Sequence, residues 1–186
     1  MNIYVIMIVI MALSLLVQSM LQSRFNKYSK IPTANGMTGA EVARRMLQEN
    51  GIYDVQVVSV RGTLTDHYNP QTKTVNLSEG VFASRSVAAA AVAAHECGHA
   101  VQHALGYAPL RMRSALVPVV SFASNIVQWV LLAGIIFFQA FPGLLWFGIA
   151  LFATTTIFSF ITLPVEVNAS TRAISWLENA GVTDFE

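Results

Sequence analysis

Apolar positions along the chain gather into long uncharged blocks at the start and in the second half, with a patterned polar stretch between them. The first block, Ile3 to Leu21, carries no charge and is long enough to cross the ~30 Å hydrocarbon layer of a bilayer. Only Met1 and Asn2 precede it, with no basic segment, and Gln22-Ser23-Arg24 is not a small-x-small cleavage site. The block is therefore expected to be a retained anchor and not a cleaved signal. From Ser114 to Leu163 fifty residues pass without a charge, interrupted at Phe141-Pro142-Gly143. Pro-Gly is a turn signal, so a transmembrane hairpin is expected, with helices over 114–140 and 143–163. Its small residues (Ala133, Gly134, Gly148, Ala150, Ala153) suit close helix packing or plain lipid contact equally well.

Residues 22–113 alternate in a different way. Thr38-Gly39-Ala40-Glu41 has capping-box spacing, followed by Val42, Met46 and Leu47 at helical intervals and by Gly51 as a stop. Val55, Val57, Val58 and Val60 form a β-branched run that Gly62 breaks, and Leu64 to Tyr68 resumes an extended pattern. Asn69-Pro70-Gln71-Thr72 reads as a turn, and Lys73 to Leu77 alternates like a strand. A small antiparallel sheet is expected here. From Ser84 or Ser86 a helix should run through the alanine-rich stretch to about Leu105, with Gly106 ending it.

Composition agrees with a membrane protein. Of the 186 residues 54% are hydrophobic and only 11% charged, and the mean hydropathy is +0.55, too apolar for a typical soluble domain. The net charge of +1 offers nothing for nucleic acid. The lone cysteine, Cys97, excludes an intrachain disulfide. All eleven Lys and Arg residues fall in 22–113 and 164–186, which three spans would leave on one side. Several hug the span ends (Arg24, Lys27, Lys30, Arg111, Arg113), so these polar parts are expected in the cytoplasm.

The chemistry lies in His95-Glu96-Cys97-Gly98-His99, a His-Glu-x-x-His pattern on the expected helix. Two histidines four residues apart differ by about 40° in direction and ~6 Å in height, so both rings reach one ion. Composition alone predicts roughly 0.005 chance matches. A zinc ion there supplies Lewis acidity and a more acidic bound water. Glu96 is placed to take that water's proton and hand it to a leaving amine. A catalytic zinc site needs a third protein ligand. His103 lies about 80° and ~12 Å from His95, too far round the helix, and its spacing fails the pattern of a third histidine six residues past the second. His67, on the preceding strand or turn, is possible. Glu166 is the best placed, just after Pro164 as a helix-starting residue at the end of the third span, though a first-turn carboxylate also suits a helix dipole. His103 otherwise fits a place behind the ligands or beside substrate, or a buried structural role. Cys97 points about 200° away from His95 and reads as packing.

Several segments resemble the YugP-type bacterial membrane zinc metallopeptidases: Gly62-Thr-Leu-Thr-Asp-His-Tyr-Asn-Pro70, Val75-Asn-Leu-Ser78, Ala93 to His103, and Leu163-Pro-Val-Glu-Val-Asn-Ala-Ser170. More distantly the chain is similar to HtpX-type membrane gluzincins. The resemblance implies an α+β mini-zincin body with a His-Glu-x-x-His helix, one zinc ion, and a glutamate from a later helix as third ligand, which again points to Glu166 within 164–186. In the HtpX type an aspartate follows that glutamate by four residues, where this chain has Ser170, so the partner of the histidines is left open. The resemblance also implies a further apolar segment after the region matching 178–186. In such zincins the strand before the catalytic helix often pairs with substrate backbone; Lys73 to Leu77 is the nearest candidate, with an ordinary sheet strand equally open. Arg172 and Tyr107 are candidates for steadying the oxyanion or a ligand, or are simply interfacial.

The expected function is a zinc-dependent endopeptidase acting on protein or peptide substrate at the bilayer. Two alternatives stand beside it: a site-2-type intramembrane protease, favoured by the apolar run Val87 to Leu105, and a zinc-binding membrane scaffold without activity. The four polar residues His95, Glu96, His99 and His103 weigh against the first, and an intact Glu96 against the second.

Overall fold

The computed structural model describes residues 2–183. In chain order its elements are α1 (Ile3–Tyr28), α2 (Gly39–Glu49), β1 (Gln56–Val60), β2 (His67–Asn69), β3 (Thr74–Ser78), α3 (Glu79–Phe82), α4 (Val87–Ala104), α5 (Ala108–Ile136) and α6 (Pro142–Asn179). The class is α+β. Three of the helices, α1, α5 and α6, are long and apolar enough to cross a membrane. The chain divides into two compact units, one formed by residues to Ala100 together with those from Arg172 on, the other by Val101–Thr171.

In the first unit α2 begins with the expected capping box: Thr38 Oγ1 accepts the Glu41 N–H at 3.3 Å, and the Thr38 N–H donates to Glu41 Oε2 at 2.7 Å. Such a cap satisfies donors that the first turn leaves open and contributes roughly 1 kcal/mol. Val42, Ala43, Met46 and Leu47 form its buried stripe. Gly39 lies where no side chain fits, since a Cβ there would come 2.3 Å from the Val81 carbonyl oxygen. Both partners in that clash are backbone, so Gly39→Ala is expected to destabilise the fold by about 1–3 kcal/mol. An unchanged midpoint in denaturant unfolding would contradict this.

The sheet differs from the expected antiparallel one. Its order is β1-β3-β2, with β1 parallel to β3 and β2 antiparallel to it. Turn residues mark where a chain reverses but not on which side of its partner it returns. Here Gly62 (φ +114) and Leu64 (φ +59) take left-handed backbone, so Leu64 is not in the strand, and the chain crosses to the far edge of β3. Central β3 has both edges occupied, which removes it as the strand that pairs with substrate.

α4 follows as expected. Ser86 Oγ accepts the Ala89 N–H at 3.3 Å at its start, and Gly106 (φ +63) follows its end. Alanines 88, 89, 90, 93 and 94 of α4 are buried, as are Cys97 and β3's Val75 and Leu77. The tail of α6 adds Ala173 and Leu177, and Trp176 Nε1 donates to Glu49 Oε2 at 2.7 Å.

In the second unit α5 and α6 are joined by a turn at 137–141. Gly134 and Gly148 are both buried. A Cβ on Gly134 would come 2.7 Å from the Leu145 Cα, and one on Gly148 2.7 Å from Leu131 Cδ2. Those two glycines therefore serve close helix approach, whereas Ala150 and Ala153 are exposed. Pro164 does not open a new helix. α6 runs unbroken from Pro142 to Asn179 with Pro164 inside it, because long apolar helices tolerate a proline whose lost bond their surroundings offset.

Candidate metal centre

Helix geometry sets the direction of each side chain on α4. Taking His95 as zero, His99 lies near +40° and Gln102 near −20°, while Glu96 is about 100° round and Cys97 about 200°. One stripe of the helix thus carries His95, His99 and Gln102. The structure bears this out on Gln102, which is fully buried and donates through Nε2 to the Val165 carbonyl at 2.8 Å and to Asn168 Oδ1 at 3.0 Å. Both acceptors flank Glu166 on α6. Gln102 and Asn168 were not singled out from the sequence, although a buried glutamine in register with the histidine pair is a readable signal.

Among the described residues, His95, His99 and Glu166 form a group able to hold a metal ion: one ligand atom from each lies within 4.8 Å of the others. Donors bound tetrahedrally at about 2.0–2.1 Å from a single zinc ion stand roughly 3.4 Å apart, and the 4.8 Å bound on this group is looser than that. Two imidazoles and a carboxylate are also the donor set of many catalytic zinc sites. His99 is buried and His95 half-buried, and their rings meet edge to face with centroids 4.8 Å apart. Arg113, on α5, brings Nη2 to 3.9 Å from Glu166 Oε1.

Glu96 is buried, and a buried carboxylate needs donors. The Tyr68 main-chain N–H on β2 donates to its Oε2 at 3.0 Å. Nothing in the side-chain pattern announced that contact, because the donor is backbone.

The remaining candidates fall elsewhere. His67 is exposed with Nδ1 2.8 Å from the Thr65 carbonyl oxygen, and His103 is exposed in the last turn of α4; neither belongs to the metal group. Tyr107 is half-buried at the N-cap of α5, where its N–H donates to the Gln102 carbonyl at 2.9 Å. Arg172 is half-exposed on α6. Cys97 is buried with Sγ 3.5 Å from the Ala43 carbonyl oxygen, and burial pushes its thiol well above the ordinary range.

Comparison with known proteins bears out the resemblance carried by the segments around Asp66, His95 and Glu166. Residues 3–186 match a family described as "Putative neutral zinc metallopeptidase". Over 163 residues the chain is 48% identical to "Putative membrane protease YugP" of Bacillus subtilis (strain 168), covering 88% of this chain and 72% of that one. No solved structure matches the chain. On a match spanning nearly its whole length, the chain belongs to the family described as "Putative neutral zinc metallopeptidase".

Proposed function

We propose that the protein is a membrane-anchored, zinc-dependent endopeptidase of gluzincin type, built on a mini-zincin body, in which His95, His99 and Glu166 hold one zinc ion and Glu96 is the general base. The observation that carries this is the grouping of those three ligand atoms within 4.8 Å, with Glu96 next to His95 on the same helix. Bound zinc supplies Lewis acidity toward a peptide carbonyl and acidifies water. Glu96, whose Oε2 accepts the Tyr68 N–H, takes a proton from water and returns it to the leaving amine. Burial of Glu96 and His99 keeps bulk water from competing for those bonds.

The substrate class we infer is membrane or membrane-proximal protein segments, since α4 is followed within a few residues by the apolar helix α5, and Glu166 rides on the apolar helix α6. The positions of the Lys and Arg residues support a site on the cytoplasmic side. Tyr53, 81% exposed on the polar body, tests this. A membrane-impermeant maleimide is expected to label Tyr53→Cys in inverted vesicles and not in intact cells, with little background from buried Cys97; the reverse pattern would refute the orientation. The activity itself is tested by cleavage of an unfolded polypeptide by zinc-loaded protein beside Glu96→Gln.

A further inference from the structure

The stretch from Gly62 to Ser78 supplies no metal ligand, yet its polar side chains are engaged in holding one short strand. Asp66, just before β2, accepts the Ser78 N–H on Oδ1 at 2.7 Å and the Ser78 hydroxyl on Oδ2 at 3.0 Å. Asn69, at the other end of β2, accepts the Gln71 and Thr72 N–H groups at 2.9 and 3.3 Å. Asn76 on β3 donates to the His67 carbonyl at 3.3 Å. Ser78 and Asn76 are buried. A three-residue edge strand is marginal by itself, so these contacts decide where it lies. What β2 then offers is the Tyr68 N–H, 3.0 Å from Glu96 Oε2.

We propose that Asp66 and Ser78 are positioning residues for Glu96: their clamp seats β2 so that the Tyr68 N–H fixes the rotation of the Glu96 carboxylate. The inference rests on the reading of Glu96 as the base. A free carboxylate can turn about its last bond; one bound to a fixed main-chain donor keeps its second oxygen aimed in one direction. Asp66 stands two residues before Tyr68, so loosening the clamp moves that donor directly. Small misplacements of a reacting group cost large factors in rate while leaving substrate affinity alone.

The experiment uses the full chain, zinc-loaded, in nanodiscs, with a labelled unfolded polypeptide as substrate and Glu96→Gln as control. Asp66→Ala and Tyr68→Pro, which deletes the N–H, are expected to lower kcat roughly 10–100-fold with KM within about twofold and zinc content unchanged. Asp66→Asn keeps an acceptor for the Ser78 N–H and should recover most of the rate. Hydrogen exchange at the Tyr68 amide should accelerate in Glu96→Ala and Asp66→Ala while the amides of 75–77 stay protected. Wild-type kcat in both Asp66→Ala and Tyr68→Pro, with Glu96→Gln inactive, would overturn the positioning role but leave the base intact. Lost protection across 75–77 would mark the clamp as merely structural and also overturn it. If the wild type cuts nothing, the reading of Glu96 falls, and exchange at Tyr68 alone decides whether the clamp holds that carboxylate.

Discussion

Glu96→Gln is expected to abolish peptide cleavage, lowering kcat by at least ~10³-fold, while zinc content and fold stay as in the wild type. The reasoning separates the two jobs of this side chain. Glutamine has nearly the same shape, and its amide oxygen can still accept the Tyr68 N–H that now reaches Glu96 Oε2 at 3.0 Å. The buried site therefore stays filled and hydrogen-bonded. What disappears is the capacity to take a proton, and general acid–base catalysis by one group contributes about 10²–10⁴-fold. Serving as base and then as acid in one turnover puts the expected loss in the upper part of that range. Turnover of an unfolded polypeptide, with zinc measured on the same sample, checks it. Wild-type turnover by the glutamine variant would remove Glu96 from the mechanism.

Glu166→Ala is expected to weaken zinc binding by a few hundred-fold. Protein zinc sites with four ligands bind with about 10–16 kcal/mol, so one ligand carries roughly 3–4 kcal/mol, and 1.4 kcal/mol is tenfold. The substitution also leaves Arg113, 3.9 Å from that carboxylate, as an uncompensated positive neighbour of the ion. The loss should appear in stability. Free zinc at a hundred times its Kd stabilises a folded protein by about 2.7 kcal/mol, and after a few-hundred-fold loss the same zinc adds only a few tenths. The zinc-dependent rise in unfolding midpoint should thus vanish in Glu166→Ala and persist in His67→Ala and His103→Ala, whose side chains lie outside the metal group. Full zinc retention by Glu166→Ala, or its loss in His67→Ala, would refute the assignment.

Much of this architecture was legible because its signals are local. Uncharged blocks announced α1, α5 and α6, and Thr38 with Glu41 announced the capped start of α2. Ser86 and Gly106 bracketed α4. Other features escaped because their causes lie elsewhere in the chain. The strand pattern of 55–77 located the strands but could not show that the loop at Gly62–Leu64 carries β2 past β3, making the sheet mixed. Pro164 looked like a helix start because an isolated proline usually is one; inside α6 its missing donor is tolerated. Cys97, directed away from the histidines by its place on the helix, is buried as a packing residue.

Residue order alone puts His95 and His99 on one helix stripe with Glu96 beside them, because angular position on a helix depends only on spacing. It also narrowed the third ligand to a few candidates, with Glu166 foremost. Packing, by contrast, sets the grouping of one ligand atom each from His95, His99 and Glu166 within 4.8 Å, and the bond from the Tyr68 N–H to Glu96. The physical reason is that distances between separate elements follow from packing: the Gln102 bond to the turn of α6 around Glu166, and the Asp66 clamp on Ser78, act between residues far apart in the chain. No periodicity records such contacts, and a main-chain donor leaves no trace in the side-chain pattern at all.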